Sequence, residues 1–211
     1  FIFGLFILAL AVVGIISIIS FIRDTYAPKT EEEIQYEEYA DFLTWVVGVD
    51  PTSFSDITSA NKDDLRNIAI CSLMNDEITT STYDVTEKGL VVPVADVEEH
   101  FKAIFGNDVE ISHGNVVGYG YEFVYDATKS VYYVPLTGIA PPFAVRIESA
   151  KVTGDFIQLK IGYIGTNNVE VDAQGNLIAA QPDKYADVTL KKTENGYNLI
   201  SLMSTSTGEF N

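Results

Sequence analysis

The two histidines are the side chains of this sequence best suited to acid–base chemistry, because an imidazole gains and loses a proton near neutral pH. His100 follows Val97 by three residues and precedes Ile104 by four, so it lies at the border of a predicted apolar helix face. His113 lies in the segment Ile-Ser-His-Gly-Asn, at the predicted end of a strand. A histidine at a border or in a loop is more often structural than catalytic. We therefore predict no catalytic set and keep the two histidines as an alternative pocket.

Five tyrosines are concentrated around one predicted hairpin, and they form the candidate binding surface. They are Tyr119, Tyr121, Tyr125, Tyr132 and Tyr133. A tyrosine-rich strand surface beside a proline-containing loop is typical of sites that bind a glycan, a peptide or another subunit. The alternative is structural, because tyrosine is also a favourable strand residue whose hydroxyl reaches water at a sheet edge. Both interpretations remain open at the level of the sequence.

Neither a metal site nor a cofactor site is predicted. Zinc would need paired histidines or cysteines at short spacing, and the sequence has none. Residues 172–176 lack the alternating acids and the closing glutamate of a calcium loop. Phosphate-loop and nucleophilic-serine motifs are also absent from the sequence. The one cysteine, Cys71, falls in an apolar segment and is predicted to be a buried thiol.

The first 22 residues are predicted to form a transmembrane anchor. They contain no charged side chain, and Ser17 and Ser20 are their only polar ones. A helix of this length spans roughly 33 Å, whereas the hydrocarbon core of a bilayer is about 30 Å thick. The apolar region of a signal peptide is shorter, at about 7–15 residues. A polar stalk is predicted over residues 23–33.

The flanking charges predict the orientation of this anchor in the cell membrane. Acidic residues outnumber basic ones just after it, while positive charge accumulates on the cytoplasmic side of such helices. The single-pass anchor therefore places the C-terminal domain in an extracytoplasmic location. An extracytoplasmic domain with a single cysteine cannot form an internal disulfide, which favours a bacterial surface protein.

The overall charge argues against nucleic acid as a partner. The 211 residues include 30 acidic and 13 basic side chains, which gives a formal net charge of −17. Binding to nucleic acid depends on neutralising phosphates with lysine and arginine. The acidity is better explained as a solvated surface that resists aggregation.

Hydrophobic periodicity predicts three helices followed by a run of antiparallel strands. Helices are expected near 33–48, 62–74 and 93–106, and strands near 89–92, 121–125, 131–134, 143–152, 156–163, 185–192 and 197–203. Helices grouped before hairpins indicate an α+β fold with two to three helices on one face of a curved antiparallel sheet. Residues 34–211 are predicted to form this single domain.

Two stretches, VPVADVEEHFKAIFG and YEFVYDATKSVYYVP, resemble uncharacterised membrane-anchored extracytoplasmic proteins of Gram-positive bacteria. The order of elements is similar to that of NTF2-like and cystatin-like folds, in which helices fill the concave side of a bent sheet. NTF2-like enzymes place a histidine and an aspartate inside this cone. The resemblance implies a fold but no function, because such folds host both enzymes and interaction modules.

We therefore expect a membrane-anchored extracytoplasmic binding module without catalytic activity. Its ligand would be a protein or a cell-wall component, and its membrane contact would be residues 1–22. The alternative is a small NTF2-like enzyme or small-ligand receptor, with His100 and His113 in a pocket inside the cone of the sheet. The oligomeric state is left open.

Overall fold

The computed structural model describes residues 29–118, 120–136, 141–166, 170–171, 177–178, 180–208 and 210. The predicted anchor at residues 1–22 and the candidate Tyr119 lie outside these described residues. Within the described ranges, no helix is both long enough and apolar enough to cross a membrane. Packing divides the chain at Tyr36, and the unit Glu37–Asn211 holds both main sheets.

The described residues form four α-helices, three of which correspond to the predicted ones. They are α1 (Glu31–Val49), α2 (Lys62–Met74), α3 (Glu77–Thr80) and α4 (Val94–Phe105), and a 3-10 turn covers Ile57–Ser59. The short helix α3 was not predicted. Its start is stabilised by Asp76, whose carboxylate accepts hydrogen bonds from the backbone N–H groups of Ile78 and Thr79.

Helix α1 begins two residues earlier than the periodicity suggested. The backbone N–H of Thr30 donates to the Glu33 carboxylate at 2.7 Å, and the backbone N–H of Glu33 donates to the Thr30 hydroxyl at 3.2 Å. This reciprocal pair is a capping box, which satisfies two N–H groups that otherwise lack partners at a helix start. The cap, rather than the first apolar residue, therefore determines where α1 begins.

Helix α2 is buried around most of its circumference, as its apolar composition predicted. Its most buried side chains are Leu65, Ile68, Ala69, Ile70, Cys71 and Leu73. The Cys71 thiol is fully enclosed, which confirms the expectation of a buried cysteine. Arg66 is also buried, although a guanidinium is almost never enclosed without partners.

The described residues form eleven strands that pair only with antiparallel neighbours. Their bounds are β1 (Val85–Thr86), β2 (Gly89–Pro93), β3 (Val116–Gly118), β4 (Tyr121–Asp126), β5 (Val131–Val134), β6 (Phe143–Thr153), β7 (Phe156–Gly165), β8 (Glu170–Val171), β9 (Leu177–Ile178), β10 (Lys184–Thr193) and β11 (Gly196–Thr205). One sheet has the order β1-β2-β5-β4-β3 and the other has the order β11-β10-β7-β6, while β8 pairs with β9 alone. The fold is therefore α+β, as predicted.

The strands divide into two main sheets, whereas the sequence had suggested one curved sheet. Pro135 follows β5 directly, and Pro141 and Pro142 precede β6. Proline lacks the N–H group that a sheet ladder requires, so pairing does not continue from the first sheet into the second through these residues. The long strand β6 instead pairs with β7, and β7 pairs with β10 of the β10–β11 hairpin.

The second sheet buries a continuous apolar face. Ile157, Leu159, Ile161 and Tyr163 alternate along β7 and are all buried, as the period of two predicted. On the opposite face Lys160 is also buried, with its ammonium 2.5 Å from Asp187 and 5.5 Å from the centre of the Phe210 ring. The sequence did not predict this ion pair between a buried lysine and a half-exposed aspartate, because its two residues come from distant parts of the chain.

Helix α4 lies between the two sheets, because it packs on β2 of the first sheet, on β11 of the second, and on α2. Its predicted apolar stripe of Val97, Phe101, Ile104 and Phe105 is buried. Gly106 ends the helix at a φ of 80°, a conformation that favours glycine, and its N–H donates to the Lys102 carbonyl at 2.8 Å. The chain then returns along α4 as the segment that carries His113.

Candidate functional site

His113 is hydrogen-bonded through both of its ring nitrogens. Nδ1 lies 2.9 Å from the Tyr132 hydroxyl, and Nε2 lies 3.1 Å from the Glu98 carboxylate. A carboxylate can only accept, so Nε2 carries the proton that is donated to Glu98. In the neutral ring Nδ1 then accepts a hydrogen bond from the Tyr132 hydroxyl. The imidazole thereby joins helix α4 to strand β5.

Aromatic packing fixes the plane of the His113 ring. Tyr125 of β4 lies directly opposite Tyr132 of β5 in the antiparallel register, with the ring centres 5.1 Å apart. The imidazole stacks on Tyr125 at 5.4 Å with an angle of 24° between the planes. Tyr132 is fully buried, and this burial raises the pKa of its phenol to about 12. The hydroxyl therefore stays protonated and acts as a donor to His113.

Arg66 holds the backbone that carries His113. Its guanidinium donates hydrogen bonds to the carbonyl of Ser112, to the carbonyl of Asn115 at 3.2 Å, and to the Asp63 carboxylate. The side chain of Asn115 extends this connection, because its oxygen accepts from the backbone N–H of Tyr125 at 2.9 Å. Helix α2 and strand β4 thus position the loop from both sides. This role explains why a cation is buried in α2.

A cleft of about 390 Å³ opens beside the His113 ring, between α4 and the segment that returns along it. Its lining residues are Glu98, Phe101, Lys102, Asn107, Val109, Glu110, Ile111 and His113, and we call it the His113 cleft. Small-molecule sites in proteins typically have volumes of about 300–1,000 Å³ and combine an apolar surface with a few polar groups. The volume of the His113 cleft lies in this range, and five of its eight lining residues are polar or charged, while Phe101, Val109 and Ile111 supply its apolar surface.

Opposite charges face this cleft without neutralising one another. Lys102 comes from α4, and Glu110 comes from the returning segment. Both side chains are exposed, and among the described residues neither makes a side-chain hydrogen bond or an ion pair. Glu98 is bonded to His113, yet its side chain remains 40% exposed. The cleft therefore offers one cationic and two anionic groups to a ligand.

The structure does not bring the two histidines together. His113 lines the cleft, whereas His100 lies near Asp76 at the start of α3. Hydrogen bonds from Thr79 are the main cause of the lowered pKa of the Asp76 carboxyl, and the charge of His100 contributes a smaller part. His100 is thus a neighbour of a helix cap rather than part of the cleft.

The candidate tyrosines are distributed over different environments. Tyr125 and Tyr132 pack against the His113 ring. Tyr121 is exposed at the start of β4. Tyr133 points to the opposite side of β5, where the ammonium groups of Lys88 and Lys129 lie 4.9 and 5.9 Å from its ring centre. These tyrosines do not form one continuous exposed surface. Tyr119 lies outside the described residues.

Sequence reasoning missed the residues that shape the cleft around His113. Glu98 and Lys102 are four residues apart on α4, a spacing that places two side chains on the same helix face, and this signal was available. Arg66 and Glu110 gave no local signal, since their importance depends on contacts across the fold. Within the described ranges, no cluster of three or more His, Cys, Asp or Glu residues could hold a metal ion.

Comparison of the whole chain with protein-family models, with curated proteins and with solved structures gave no significant match. The function must therefore be inferred from the cleft and from the N-terminal sequence.

Proposed function

We propose that this protein is a membrane-anchored extracytoplasmic binding module without catalytic activity, and that a protein or cell-wall-associated ligand binds through the His113 cleft. The observation that carries the proposal is a cleft of about 390 Å³ in which charged groups from α4 and from residues 107–113 surround an apolar floor. The apolar lining residues are Phe101, which is only 2% exposed, and the more exposed Val109 and Ile111. Such a site provides both contact area and orientation for a ligand.

The hydrogen bonds of His113 favour binding over acid–base catalysis. A general base needs a nitrogen that can reach the proton of a substrate. Both nitrogens of His113 already have partners in the protein, and the Tyr132 hydroxyl beyond it is enclosed. A catalytic role would require one of these bonds to break first. The arrangement is better suited to holding the walls of a binding site in place.

A spectroscopic screen of the full chain in detergent micelles tests the cleft as a binding site. We expect fragments that bind to shift the backbone amide signals of Glu98, Lys102 and residues 107–113. Ile111→Trp fills the cleft and should abolish these shifts. The matched control is Val152→Trp, at a position that is 59% exposed and outside the cleft. Binding shifts that persist unchanged in the Ile111→Trp variant would refute the proposal.

The proposed location is the outer side of the cell membrane, and the support is the uncharged apolar stretch of residues 1–22 together with the excess of acidic over basic residues just after it. A cysteine at the exposed position Ser206, in a Cys71→Ala background, provides a test in intact cells. A membrane-impermeant maleimide should label this cysteine before the cells are permeabilised. Labelling only after permeabilisation would place the domain in the cytoplasm.

We also propose that the domain is related to the NTF2-like and cystatin-like folds. The support is its order of elements, in which helices α1 to α3 precede most of the strands and α4 packs on both main sheets. An experimental structure would test this relation. Helix α4 and the sheet β11-β10-β7-β6 that superpose together on the helix and sheet of such folds would support it, and a failure to superpose would contradict it.

A further inference from the structure

We infer that the His113 cleft binds a zwitterionic ligand, one that carries an ammonium group and a carboxylate, such as a short peptide with free ends. This inference rests on the proposed binding function and specifies the chemical class of the ligand. It depends on three features of the cleft. They are the unpaired opposite charges, the positions of the two acidic side chains, and the apolar surface between the charged groups.

The separation of charges is the first feature. Lys102 on α4 and Glu110 on the returning segment line the same cleft, and among the described residues neither forms an ion pair. Both charges therefore stay available to a ligand that enters the cleft. A ligand with two opposite charges neutralises both walls at once. A ligand with one charge leaves one wall unpaired.

The second feature is the arrangement of the acidic groups. Glu98 accepts a hydrogen bond from His113, which holds its carboxylate at the edge of the cleft, and its side chain remains 40% exposed. Glu110 lies on the other wall. An ammonium group carries three donors and can bond to more than one carboxylate. Lys102 remains as the partner for the carboxylate of the ligand.

The third feature is the apolar surface between the charged groups. Phe101 and Val109 line the His113 cleft and also line a small neighbouring recess with Ile57 and Leu65. The recess has a volume of about 20 Å³, close to the space that one water molecule occupies. A methyl-sized side chain fits this recess better than a large one. The ligand is therefore expected to carry small apolar side chains.

Binding of three related dipeptides to the full chain in detergent micelles tests the inference. Alanyl-alanine carries both charges, its N-acetyl derivative carries only the carboxylate, and its C-terminal amide carries only the ammonium group. We expect alanyl-alanine to bind at least ten-fold more tightly than either blocked form, measured by titration of the amide signals of the cleft. Phenylalanyl-phenylalanine should bind more weakly than alanyl-alanine.

Charge-neutral variants assign each end of the ligand to a wall. Lys102→Gln should bring alanyl-alanine and its amide to equal affinity, because the carboxylate loses its partner. Glu110→Gln should reduce the difference in affinity between alanyl-alanine and its acetylated form, because the ammonium group loses one partner. Lys151→Gln and Glu87→Gln change exposed charges outside the cleft and should leave all three affinities unchanged. These controls separate a local contact from an effect of net charge.

The outcomes distinguish this inference from the proposed binding function. Blocked and unblocked dipeptides with equal affinity would overturn the zwitterion inference, and so would a cleft that binds uncharged fragments but no dipeptide. The binding function would survive both results. A cleft that responds to no fragment and no dipeptide would overturn both proposals together.

Discussion

A single imidazole connects three parts of the molecule at the residue scale. His113 bonds to Glu98 on α4 and to Tyr132 on β5, and it stacks on Tyr125 of β4. Each contact restricts a different degree of freedom of the ring: the two hydrogen bonds orient it in its plane, and the stacking fixes the plane itself. The wall of the cleft is therefore built before a ligand arrives, which reduces the entropy lost on binding.

Tyr132→Phe tests the hydrogen bond to His113. The ring is kept while the hydroxyl is removed, so the Nδ1 acceptor of His113 loses its partner in a partly buried site. We expect the free energy of unfolding to fall by about 1–2 kcal/mol in urea denaturation. Tyr121→Phe is the matched control, because Tyr121 is 39% exposed, and its change should stay within about 0.5 kcal/mol. Equal effects of the two substitutions would exclude a stabilising role for the bond.

At the scale of elements, Arg66 connects α2 to the loop that carries His113. Its partners in the loop are backbone carbonyls, so the connection depends on the position of the chain rather than on the identity of the loop side chains. This explains how a loop without regular structure between α4 and β3 can present a histidine in one orientation. Carbonyl groups that lose their donor in a partly buried site are costly to leave unsatisfied.

Arg66→Met tests this connection. The substitution keeps an apolar stem of similar length but leaves the carbonyls of Ser112 and Asn115 without their donor. We expect the free energy of unfolding to fall by about 1–3 kcal/mol, because these carbonyls lose their donor, and hydrogen exchange to become faster in residues 112–115. Lys62→Met changes an exposed cation on the same helix and should affect neither measurement. Unchanged exchange in the loop of the Arg66→Met protein would contradict this role.

Gly89 provides a second test at the scale of elements, because it controls the close approach of β2 to β5. Its φ is 114°, and an added Cβ atom would lie 2.2 Å from the Val134 carbonyl oxygen. We expect Gly89→Ala to lower the free energy of unfolding by about 3 kcal/mol or more, through backbone strain together with steric overlap.

Gly154→Ala is the control for Gly89→Ala. Gly154 also has a positive φ, of 61°, but no atom lies within 4 Å of the position of an added Cβ. Only the backbone cost of about 1 kcal/mol is then expected. Thermal or urea unfolding of the two variants measures the difference, and equal losses would show that the contact with β5 is unimportant.

At the scale of the whole molecule, several weakly acidic side chains are fully or partly buried in one domain: Cys71 and Tyr132 are enclosed, and Tyr197 is half-buried. Burial raises the pKa of the Cys71 thiol to about 12, and it raises the pKa of the Tyr132 and Tyr197 phenols to about 12 as well. Folding keeps these groups protonated in a range in which the unfolded chain would release their protons. The core therefore couples the stability of the domain to alkaline pH.

The direction of this coupling follows from which state loses protons first. The ordinary pKa is 9.0 for a cysteine and 10.0 for a tyrosine, so the unfolded chain ionises before the folded one. Their contribution to stability is complete below about pH 9 and is lost as the pH rises towards about 12. Urea denaturation at a series of pH values should show this decline. In the double variant Cys71→Ala, Tyr132→Phe the free energy of unfolding should fall less steeply with pH. The same steepness as in the unchanged protein would show that these two groups do not cause the decline.

The local elements of this protein could be predicted from the order of its residues alone. An apolar period of three to four residues located α2 and α4, and the burial of Cys71 followed from its apolar neighbours. Alternating residues and turn sequences located the hairpins of β4 with β5 and of β10 with β11. These features could be predicted because their causes, helix periodicity and turn chemistry, act between residues that are close along the chain. The α+β class followed from the order of these elements.

The division into two sheets and the composition of the His113 cleft depend on packing between distant parts of the chain. Glu98 and Tyr132 lie 15 and 19 residues from His113, and Arg66 lies 46 residues from Ser112. Contacts at such separations depend on how the helices and sheets pack. In the sequence pattern, these side chains cannot be distinguished from other surface or core residues. A glutamate on a helix becomes one wall of a cleft only when a distant loop folds back along that helix.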